Sequence, residues 1–333
     1  MIHQYKNNGY NIVLDVYSGA VHVVDDLCYD VIAVLNEPDE EPTAEILKSD
    51  LTWENLKKRL GDTYSEVDLR DALDDVIELT EDGKLFTKDE FEYLVPIVKK
   101  RKTVVKALCL HIAHDCNLAC RYCFAEEGEY HGRRALMSYE VGKKALDFLI
   151  ANSGSRRNLE VDFFGGEPLM NWQVVKDLVA YGREQEKLHD KNFRFTVTTN
   201  GVLLNDEIQE FVNNEMDNVV LSLDGRKEIN DKMRPFRNGK GSYDLIVPKF
   251  QKLAESRNQE KYYIRGTFTR NNLDFSNDIL HFADLGFKQM SIEPVVGDES
   301  DPYAIREEDI PQIKEEYDKL AKIMIEREKE GKG

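Results

Sequence analysis

The feature that most constrains the fold is an alternation of strand-like and helix-like segments that begins near residue 105. Apolar runs with the length of a β-strand recur along the chain, and a segment with helical periodicity follows each of them. The predicted strands cover residues 105–112, 159–164, 193–199, 218–223, 262–269 and 289–295. The predicted helices cover residues 138–151, 172–187, 206–214, 243–256, 275–285 and 309–329. Consecutive βα units of this kind favour an α/β fold in which a parallel sheet curls into a partial (β/α)6 barrel similar to a TIM barrel.

Residues 1–95 have a different pattern, which predicts a small α+β domain ahead of a core that spans residues 96–333. Short alternating strands and amphipathic helices follow one another there, and Asn7-Asn8-Gly9 is a typical hairpin turn. The predicted strands are 4–6, 10–16 and 20–24, the helices are 27–35, 52–60 and 66–79, residues 36–42 are a polar break, and residues 84–87 form a terminal β-wing. This order is that of a winged helix.

The charge balance argues against nucleic acid as the partner of this winged module. The chain has 45 Lys and Arg against 63 Asp and Glu, a net charge of -18, and acidic residues crowd the third helix of the module from Asp71 to Glu78. Such a surface repels a phosphate backbone. The sequence also has no apolar run of about 18 residues and no secretory signal. We therefore expect a cytoplasmic protein that binds neither nucleic acid nor a membrane.

Three cysteines fall within eight positions, in the loop after the first predicted barrel strand. Cys116, Cys120 and Cys123 are separated by four and three residues, and three thiolates can bind three irons of a cubane cluster and leave the fourth iron open. A structural zinc ion is the alternative, and it needs a fourth ligand such as His111 or His114. The remaining cysteines, Cys28 and Cys109, lie in apolar segments and are predicted to be small buried residues.

This C-x3-C-x2-C pattern, with the aromatic Tyr122 before the third cysteine, resembles the signature of the radical S-adenosylmethionine (SAM) enzymes. The resemblance implies that Cys116, Cys120 and Cys123 bind a [4Fe-4S] cluster and that the amino and carboxylate groups of SAM take its open iron. It also implies an oxidoreductase-like reaction, in which one electron cleaves SAM and the resulting 5'-deoxyadenosyl radical removes a hydrogen atom from a substrate.

The segment after the second predicted strand has the composition of a site for an amino acid's charged ends. Gly165 and Gly166 let the backbone approach a ligand, successive amides can bind an anion, and the carboxylate of Glu167 can accept bonds from an ammonium group. An ordinary strand-to-helix turn is the alternative. The segment Gly165-Gly166-Glu167-Pro168 matches the GGEP motif of the same family, which implies contacts to the methionine end of SAM.

Other polar and aromatic positions at strand ends also resemble the family's SAM contacts. The segments around Asn200 and Asp224 are similar to its TNG and S-x-DG blocks, and an arginine that follows them is expected to approach the SAM carboxylate. Arg237 is an alternative to Arg234 in that role, and either Tyr122 or Phe124 is expected to pack on the adenine. The positions implied in this way are Tyr122, Phe124, Thr199, Asn200, Ser222, Asp224, Arg234 and Val295.

The order of domains resembles a narrower group, the maturases of Cys-rich SCIFF peptides, which form sactipeptide-like thioether crosslinks. This resemblance implies that residues 1–95 are a RiPP recognition element of the PqqD-like kind, which binds the leader of a ribosomal precursor peptide. It also implies an electron donor such as a flavodoxin or ferredoxin. Alternatives are another radical SAM peptide reaction (sulfatase-type oxidation, carbon–carbon crosslinking or epimerisation) and a peptide-binding module with a structural zinc ion.

The same group carries a C-terminal SPASM domain with auxiliary [4Fe-4S] clusters. The present sequence has no cysteine after Cys123. We therefore expect that this domain is absent from the chain and that no residue of this sequence binds an auxiliary cluster.

Overall fold

The computed structural model describes residues 1–36, 42–100, 103–126, 128–130 and 132–332. The chain forms two compact units, Met1–Lys102 and Thr103–Gly333. In the described part of the chain, each apolar core cluster draws its residues from one unit alone. The predicted boundary after residue 95 lies a few residues before this division, and the role of the first unit stays a prediction.

The first unit combines a small antiparallel sheet with helices. The hairpin turn predicted at Asn7-Asn8-Gly9 is present, and Asn8 and Gly9 have φ angles of 51° and 83°, as a tight turn between two strands requires. The strands, in the spatial order β1-β2-β3, are β1 (Ile2–Asn7), β2 (Tyr10–Asp15) and β3 (Val21–Val24). The helices are α1 (Asp26–Leu35), α2 (Ala44–Leu47), α3 (Asp50–Leu60), α4 (Glu66–Glu81) and α5 (Val95–Lys100).

The predicted β-wing at residues 84–87 is wrong, because these residues form bends and irregular backbone rather than a strand. The carboxylate of Asp15 accepts bonds from the backbone N–H of Thr87 at 2.9 Å and from its hydroxyl at 2.8 Å. Nε2 of His22 lies 2.9 Å from the carbonyl oxygen of Lys84. The side chains of Asp15 and His22 therefore bond to backbone groups of Thr87 and Lys84 that would otherwise pair with a neighbouring strand. The polar break predicted at residues 36–42 falls mainly on residues 37–41, outside the described residues.

The second unit is built on a seven-stranded sheet with the order β10-β9-β8-β7-β6-β4-β5. Six of these strands run parallel, as predicted, and each matches a predicted strand to within a few residues. The parallel strands are β4 (Ala107–His114), β6 (Asn158–Gly165), β7 (Asn192–Thr199), β8 (Asn218–Ser222), β9 (Tyr262–Phe268) and β10 (Met290–Pro294). The sequence analysis did not predict β5 (Ala135–Leu136), a two-residue strand antiparallel to β4.

Helices follow the parallel strands as the α/β prediction requires. They are α6 (Tyr139–Asn152), α7 (Trp172–His189), α8 (Asp206–Glu215), α9 (Lys227–Met233), α10 (Tyr243–Ser256), α11 (Ser276–Asp284) and α12 (Ile310–Lys329). Four short 3-10 segments, one of them in the first unit, complete the described structure: Glu92–Leu94, Pro168–Asn171, Arg270–Asn272 and Glu307–Asp309. None of the described helices combines the length and the apolar character that a membrane span needs.

The two faces of the large sheet differ in chemistry. Alternate residues of each strand, such as Val161, Phe163 and Phe195, are buried in one apolar cluster with residues of α6, α7, α8 and α10. The intervening residues point to the opposite face, since side chains alternate along a strand. Cys109 is one of them and it is exposed, so the prediction that it is buried is wrong. Cys28 is partly buried against the core of the first unit.

Candidate metal centre

The three cysteines lie in a loop at the carboxyl end of β4, and the segment after α9 holds this loop in place. The backbone N–H groups of Ala119 and Arg121 donate to the carbonyl oxygens of Pro235 and Met233, both at 2.9 Å. Leu118 forms an isolated bridge with Phe236 and is 1% exposed. Pairing between the cysteine loop and this distant segment therefore fixes the backbone that presents the thiols.

Cys116, Cys120 and Cys123 line one cavity of about 140 Å³ together with residues from the ends of β6, β7 and β8. Most of the predicted site residues meet there: Tyr122, Phe124, Gly165, Gly166, Thr199, Asn200, Ser222 and Arg234. Glu167 and Asp224 lie behind this lining, where both are completely buried. Val295 follows β10 and is not part of the lining; its N–H donates to the carbonyl oxygen of Phe268 at 2.9 Å.

The Cys116 and Cys120 thiols need a bound cation to become thiolates at neutral pH. Burial raises the pKa of the Cys116 thiol to about 12 and that of the Cys120 thiol to about 11. Direct coordination deprotonates a thiol in spite of such a shift. The thiols therefore suit iron or another soft metal better than they suit a role as free nucleophiles.

The geometry gives the zinc alternative little support. In the described residues, no group of three or more His, Cys, Asp and Glu side chains converges on a point that could hold one metal ion. The rings of His111 and His114 instead pack against Tyr130, with centroid distances of 4.6 and 4.8 Å. A tetrahedral zinc ion needs four converging ligands. A cubane cluster does not, because each thiolate binds a different iron.

The Gly165-Gly166 turn fits closely against the start of the cysteine loop. The N–H of Gly166 donates to the carbonyl oxygen of Ala113 at 2.7 Å, and the N–H of Glu167 donates to that of Asp115 at 2.9 Å. A Cβ atom at Gly166 would lie 2.1 Å from the carbonyl oxygen of Asp115. Glycine is therefore required at this position because the two backbones approach each other so closely.

Glu167 connects the segment after β6 to the end of β7 through its buried carboxylate. Its Oε1 accepts bonds from the N–H of Leu169 at 2.9 Å and from the hydroxyl of Thr199 at 2.8 Å, and its Oε2 accepts from the N–H of Asn200 at 2.8 Å. Burial raises the pKa of Glu167, and these bonds oppose that shift. The predicted contact of Glu167 with an ammonium group stays a prediction, and the structure adds a clear architectural role.

Tyr122, Asp224 and Arg234 form a buried polar network beside the thiols. The Tyr122 hydroxyl lies 2.7 and 2.8 Å from the two carboxylate oxygens of Asp224 and accepts a bond from Arg234 at 2.8 Å. Arg234 and Asp224 are 3.9 Å apart. The Nε of Arg234 is buried and has no hydrogen-bond partner among the described residues. This free donor beside the thiols is what a carboxylate ligand would need.

The structure distinguishes the two candidate arginines. The Arg237 guanidinium donates to the carbonyl oxygen of Cys116 at 2.8 and 3.1 Å, so it supports the backbone of the cysteine loop. Arg234, in contrast, lines the cavity. Among the aromatic candidates, the Tyr122 hydroxyl is held in the network, whereas Phe124 is 70% exposed. Which of these rings contacts adenine stays a prediction.

Sequence reasoning missed two residues that shape this site. Asp115 accepts the N–H of Glu167 through its carbonyl oxygen, and its carboxylate accepts the N–H of Cys116 at 2.9 Å. Thr198 lines the cavity on the same face of β7 as Thr196. The alternation along β7 could have indicated Thr198, whereas the role of Asp115 depends on the distant Gly166 turn.

Comparison with known families agrees with the chemistry of this cavity. Residues 110–269 match the Radical SAM superfamily. This range begins in β4 and ends just after β9, so it includes the cysteines, the glycine turn and the Asp224–Arg234 segment.

The curated relatives include a cyclopropyl synthase and a sulfatase-maturating enzyme. Over 191 residues the chain is 26% identical to the radical SAM cyclopropyl synthase TigE of Paramaledivibacter caminithermalis. The alignment covers 54% of this chain and 39% of that protein. Over 205 residues it is 28% identical to the cysteine-type anaerobic sulfatase-maturating enzyme of Clostridium novyi. This alignment covers 59% of this chain and 54% of that protein. The chain thus spans about half the length, or less, of these two relatives.

Solved structures show the same fold. Native anSMEcpe with bound AdoMet and the Cp18Cys peptide superposes with a TM-score of 0.59 at 21% identity, over 68% of this chain and 62% of that one. SuiB of Streptococcus suis bound to S-adenosylmethionine superposes with a TM-score of 0.52 at 15% identity, over 98% of this chain and 70% of that one. At these identities the likeness establishes the fold.

Proposed function

We propose that the protein is a radical SAM enzyme of the maturase type that modifies a ribosomally made peptide, and the match of residues 110–269 to the Radical SAM superfamily supports this proposal. One observation carries the proposal. Cys116, Cys120 and Cys123 line a cavity together with Arg234, whose buried Nε has no partner among the described residues. Soft thiols next to a free guanidinium donor suit an iron–sulfur cluster and the carboxylate of an amino-acid cofactor.

The residues present fit a [4Fe-4S] cluster and SAM. The three thiols would hold three irons, Arg234 would orient the carboxylate of SAM, and Glu167 would accept its ammonium group. When bound, the cluster and SAM would supply radical chemistry that removes hydrogen from a substrate.

Metal analysis and product analysis test this proposal. Anaerobically reconstituted protein is expected to contain four irons and four sulfides and to form 5'-deoxyadenosine from SAM with dithionite. The variant in which Cys116, Cys120 and Cys123 are all alanine should lose the iron, the sulfide and the product. The variant Cys28→Ala is the control and should keep all three. Retention of four irons by the triple variant would contradict the assignment.

We assign a peptide as the substrate, and a thioether between a cysteine sulfur and a backbone carbon as the bond formed. The sulfatase-maturating relative and the peptide-bound anSMEcpe structure support a peptide, and the resemblance to SCIFF maturases supports the thioether. Mass spectrometry of the treated precursor separates the candidates. A thioether removes two hydrogens and protects a cysteine from alkylation, a carbon–carbon crosslink removes two hydrogens without that protection, and epimerisation leaves the mass unchanged.

The first unit is proposed to capture the leader of the precursor as an added β-strand. Among the described strands, β3 pairs with β2 alone, so its other edge is open. Val21 and Val23 on this strand are 63% and 64% exposed. An open edge with exposed apolar side chains is a template on which an extended peptide can pair through its main chain.

Charge at this edge should prevent leader binding. The double variant Val21→Lys, Val23→Lys is made in the whole chain. It is expected to weaken binding of a fluorescent leader peptide by about tenfold or more, because charged side chains block edge pairing. The peptide is taken from the precursor encoded beside the gene. Val67→Lys is the control, since Val67 is an exposed valine on α4 of the same unit. Fluorescence anisotropy measures the affinities. Equal affinities for the edge variant and the control would remove β3 from the proposal.

A further inference from the structure

A second and larger cavity lies on the same face of the large sheet, toward the amino ends of the strands. It has a volume of about 610 Å³. One row of residues on four neighbouring strands crosses the wall of this cavity. In the sheet register, Cys109 of β4 pairs with Asp162 of β6, Asp162 pairs with Thr196 of β7, and Thr196 pairs with Asn218 of β8. All four residues line the cavity.

This row is polar where a packed interior would be apolar. The inner face of a closed α/β barrel is normally filled by layers of branched apolar side chains. The row on the inner face departs from that rule, although the neighbouring positions Val161 and Phe195, which point to the helices, are apolar and buried. Because these side chains are short and polar, they leave the interior open instead of filling it.

Two hydrogen-bond acceptors in the row have no partner. Oδ1 of Asp162 and Oδ1 of Asn218 are both buried and unbonded among the described residues. An unsatisfied buried polar group costs about 1–3 kcal/mol. The other interaction of Asp162 is with the hydroxyl of Thr198, which itself lines the cysteine cavity. The free atoms of the row are therefore acceptors, and a partner for them must bring N–H or O–H donors.

Among the described groups, no cation is close enough to Asp162 to affect its pKa, which burial raises and the hydrogen bond from Thr198 lowers. Arg194 lies 3.9 Å from Glu160, and both side chains are more than half exposed at the rim. Asp217 accepts the N–H of Phe195 at 3.1 Å, and Lys261 lines the same cavity near the start of β9. Burial raises the pKa of Asp162 to about 6, so the carboxyl is largely ionised at neutral pH and a bound cation would stabilise that charge.

We propose that the row of Cys109, Asp162, Thr196 and Asn218 is a subsite that binds a protonated amine or guanidinium group. A cation with several N–H donors satisfies both free acceptors and the charge of Asp162. The row lies two residues, or roughly 7 Å, along the strands from Thr198. A long basic side chain of a substrate held at the cysteine cavity can span that distance. This identity of the substrate group, a Lys or Arg side chain, rests on the proposed peptide substrate.

Cys109 provides a direct reporter of the charge in this cavity, since its exposed thiol belongs to the row. In the full-length chain, labelling of Cys109 is followed by mass spectrometry of its peptide, with 2-aminoethyl and 2-sulfonatoethyl methanethiosulfonate as the cationic and anionic reagents. We expect the cationic reagent to react about tenfold faster, because the carboxylates of the lining (Glu160, Asp162 and Asp217) outnumber its cations (Arg194 and Lys261) and a net negative cleft concentrates cations. Each rate is divided by the rate of the same reagent with free 2-mercaptoethanol, and the ratio of the two normalised rates cancels any change in the reactivity of the thiol itself.

Asp162→Asn keeps the size of the side chain and removes its charge, so it should bring the ratio of rates close to one. Asp284→Asn, at an exposed aspartate that ends α11, is the matched control and should leave the ratio unchanged. A ratio near one in the unmodified protein, or a ratio that is insensitive to Asp162→Asn, would overturn the subsite.

Protection experiments identify the source of the cation. Agmatine and the tripeptide acetyl-Gly-Arg-Gly-amide are the probes, and acetyl-Gly-Ala-Gly-amide is the control. The expected result is that both arginine-like probes slow the labelling of Cys109, that the alanine peptide does not, and that Asp162→Asn abolishes the protection. Protection by agmatine alone would overturn a peptide side chain as the source. Labelling requires no cleavage of SAM. The experiments can therefore disprove the subsite while the proposed reaction stands, and disproof of the proposed reaction leaves the labelling result unchanged.

Discussion

Single buried side chains determine how the strand ends meet at the candidate site. Glu167 bonds to Leu169, Thr199 and Asn200, and Asp224 bonds to Tyr122 and to the N–H of Thr267 at 3.2 Å. Each carboxylate therefore joins segments from different strands. Glu167, which the sequence indicates only as a cofactor ligand, is therefore also a necessary part of the fold.

Two substitutions of Glu167 should separate these roles. Glu167→Ala leaves three buried donors without an acceptor and is expected to lower the free energy of unfolding by about 2–4 kcal/mol. Glu167→Gln keeps an acceptor oxygen and loses the charge, so it should retain its iron and weaken SAM binding by roughly ten- to a hundredfold. Urea unfolding and equilibrium binding measure the two effects.

Glu184→Ala is the control for the unfolding measurement, because Glu184 is exposed on α7, where such a change is usually worth less than about 0.5 kcal/mol. Unchanged SAM affinity in Glu167→Gln would contradict the assignment of the ammonium contact. Equal stabilities of Glu167→Ala and Glu184→Ala would contradict the architectural role.

At the level of elements, the decisive contact is between the turn after β6 and the loop after β4. The two backbones are bonded at Gly166 and Glu167, and a side chain at Gly166 would collide with the backbone of Asp115. This contact sets where the cysteine loop begins, because Cys116 follows Asp115 directly. Packing between two loops therefore determines the position of the first thiol.

Gly166→Ala should displace the cysteine loop. We expect the variant to fold and to take up less than about half of the normal iron on reconstitution, because a Cβ at 2.1 Å from a backbone oxygen forces the backbones apart. Gly132→Ala is the control, since a Cβ there meets its nearest atom at 3.4 Å, an ordinary contact. Iron and sulfide assays on both proteins make the comparison. Full iron content in Gly166→Ala would show that the loop tolerates the shift.

At the level of the whole molecule, the two units have separate apolar cores and different charges. The core of the first unit includes Leu69, Leu73 and Val76 of α4 together with Val13 of β2 and Leu56 of α3. Residues 1–102 contain 12 Lys and Arg against 23 Asp and Glu, so this unit accounts for more than half of the net charge of -18. A leader peptide with basic residues would complement it.

The first unit should fold when it is expressed alone. Residues 1–102 are expected to show helical circular dichroism and a single cooperative urea transition with about 5 kcal/mol or more of unfolding free energy, since the unit encloses its own core. Residues 1–65 are the matched control, because this fragment lacks α4 and with it Leu69, Ala72, Leu73, Val76 and Ile77 of the core. A non-cooperative transition in residues 1–102 would show that the unit depends on the rest of the chain.

Local patterns were sufficient to predict most elements of this fold and most residues of the cavity. Period-two and helical patterns identified the parallel strands and the helices that cover them, because each element hides one apolar face. The spacing of Cys116, Cys120 and Cys123 and the glycines before Glu167 indicated the chemistry, because a short loop keeps nearby residues together whatever the rest of the chain does. The predicted wing at residues 84–87 failed because its backbone groups bond to Asp15 and His22, which are distant in sequence.

Contacts between distant segments were decided by the tertiary structure alone. Sequence could not choose between Arg234 and Arg237, and only the packing of the segment after α9 directs one toward the cavity and the other to the carbonyl oxygen of Cys116. Likewise, Cys109 and Asp162 have no relation in sequence and become neighbours through the register of β4 with β6. Sequence determines which faces are apolar and which short motifs can bind a metal. Tertiary structure determines which side chains meet, because register and loop packing join residues that no local pattern connects.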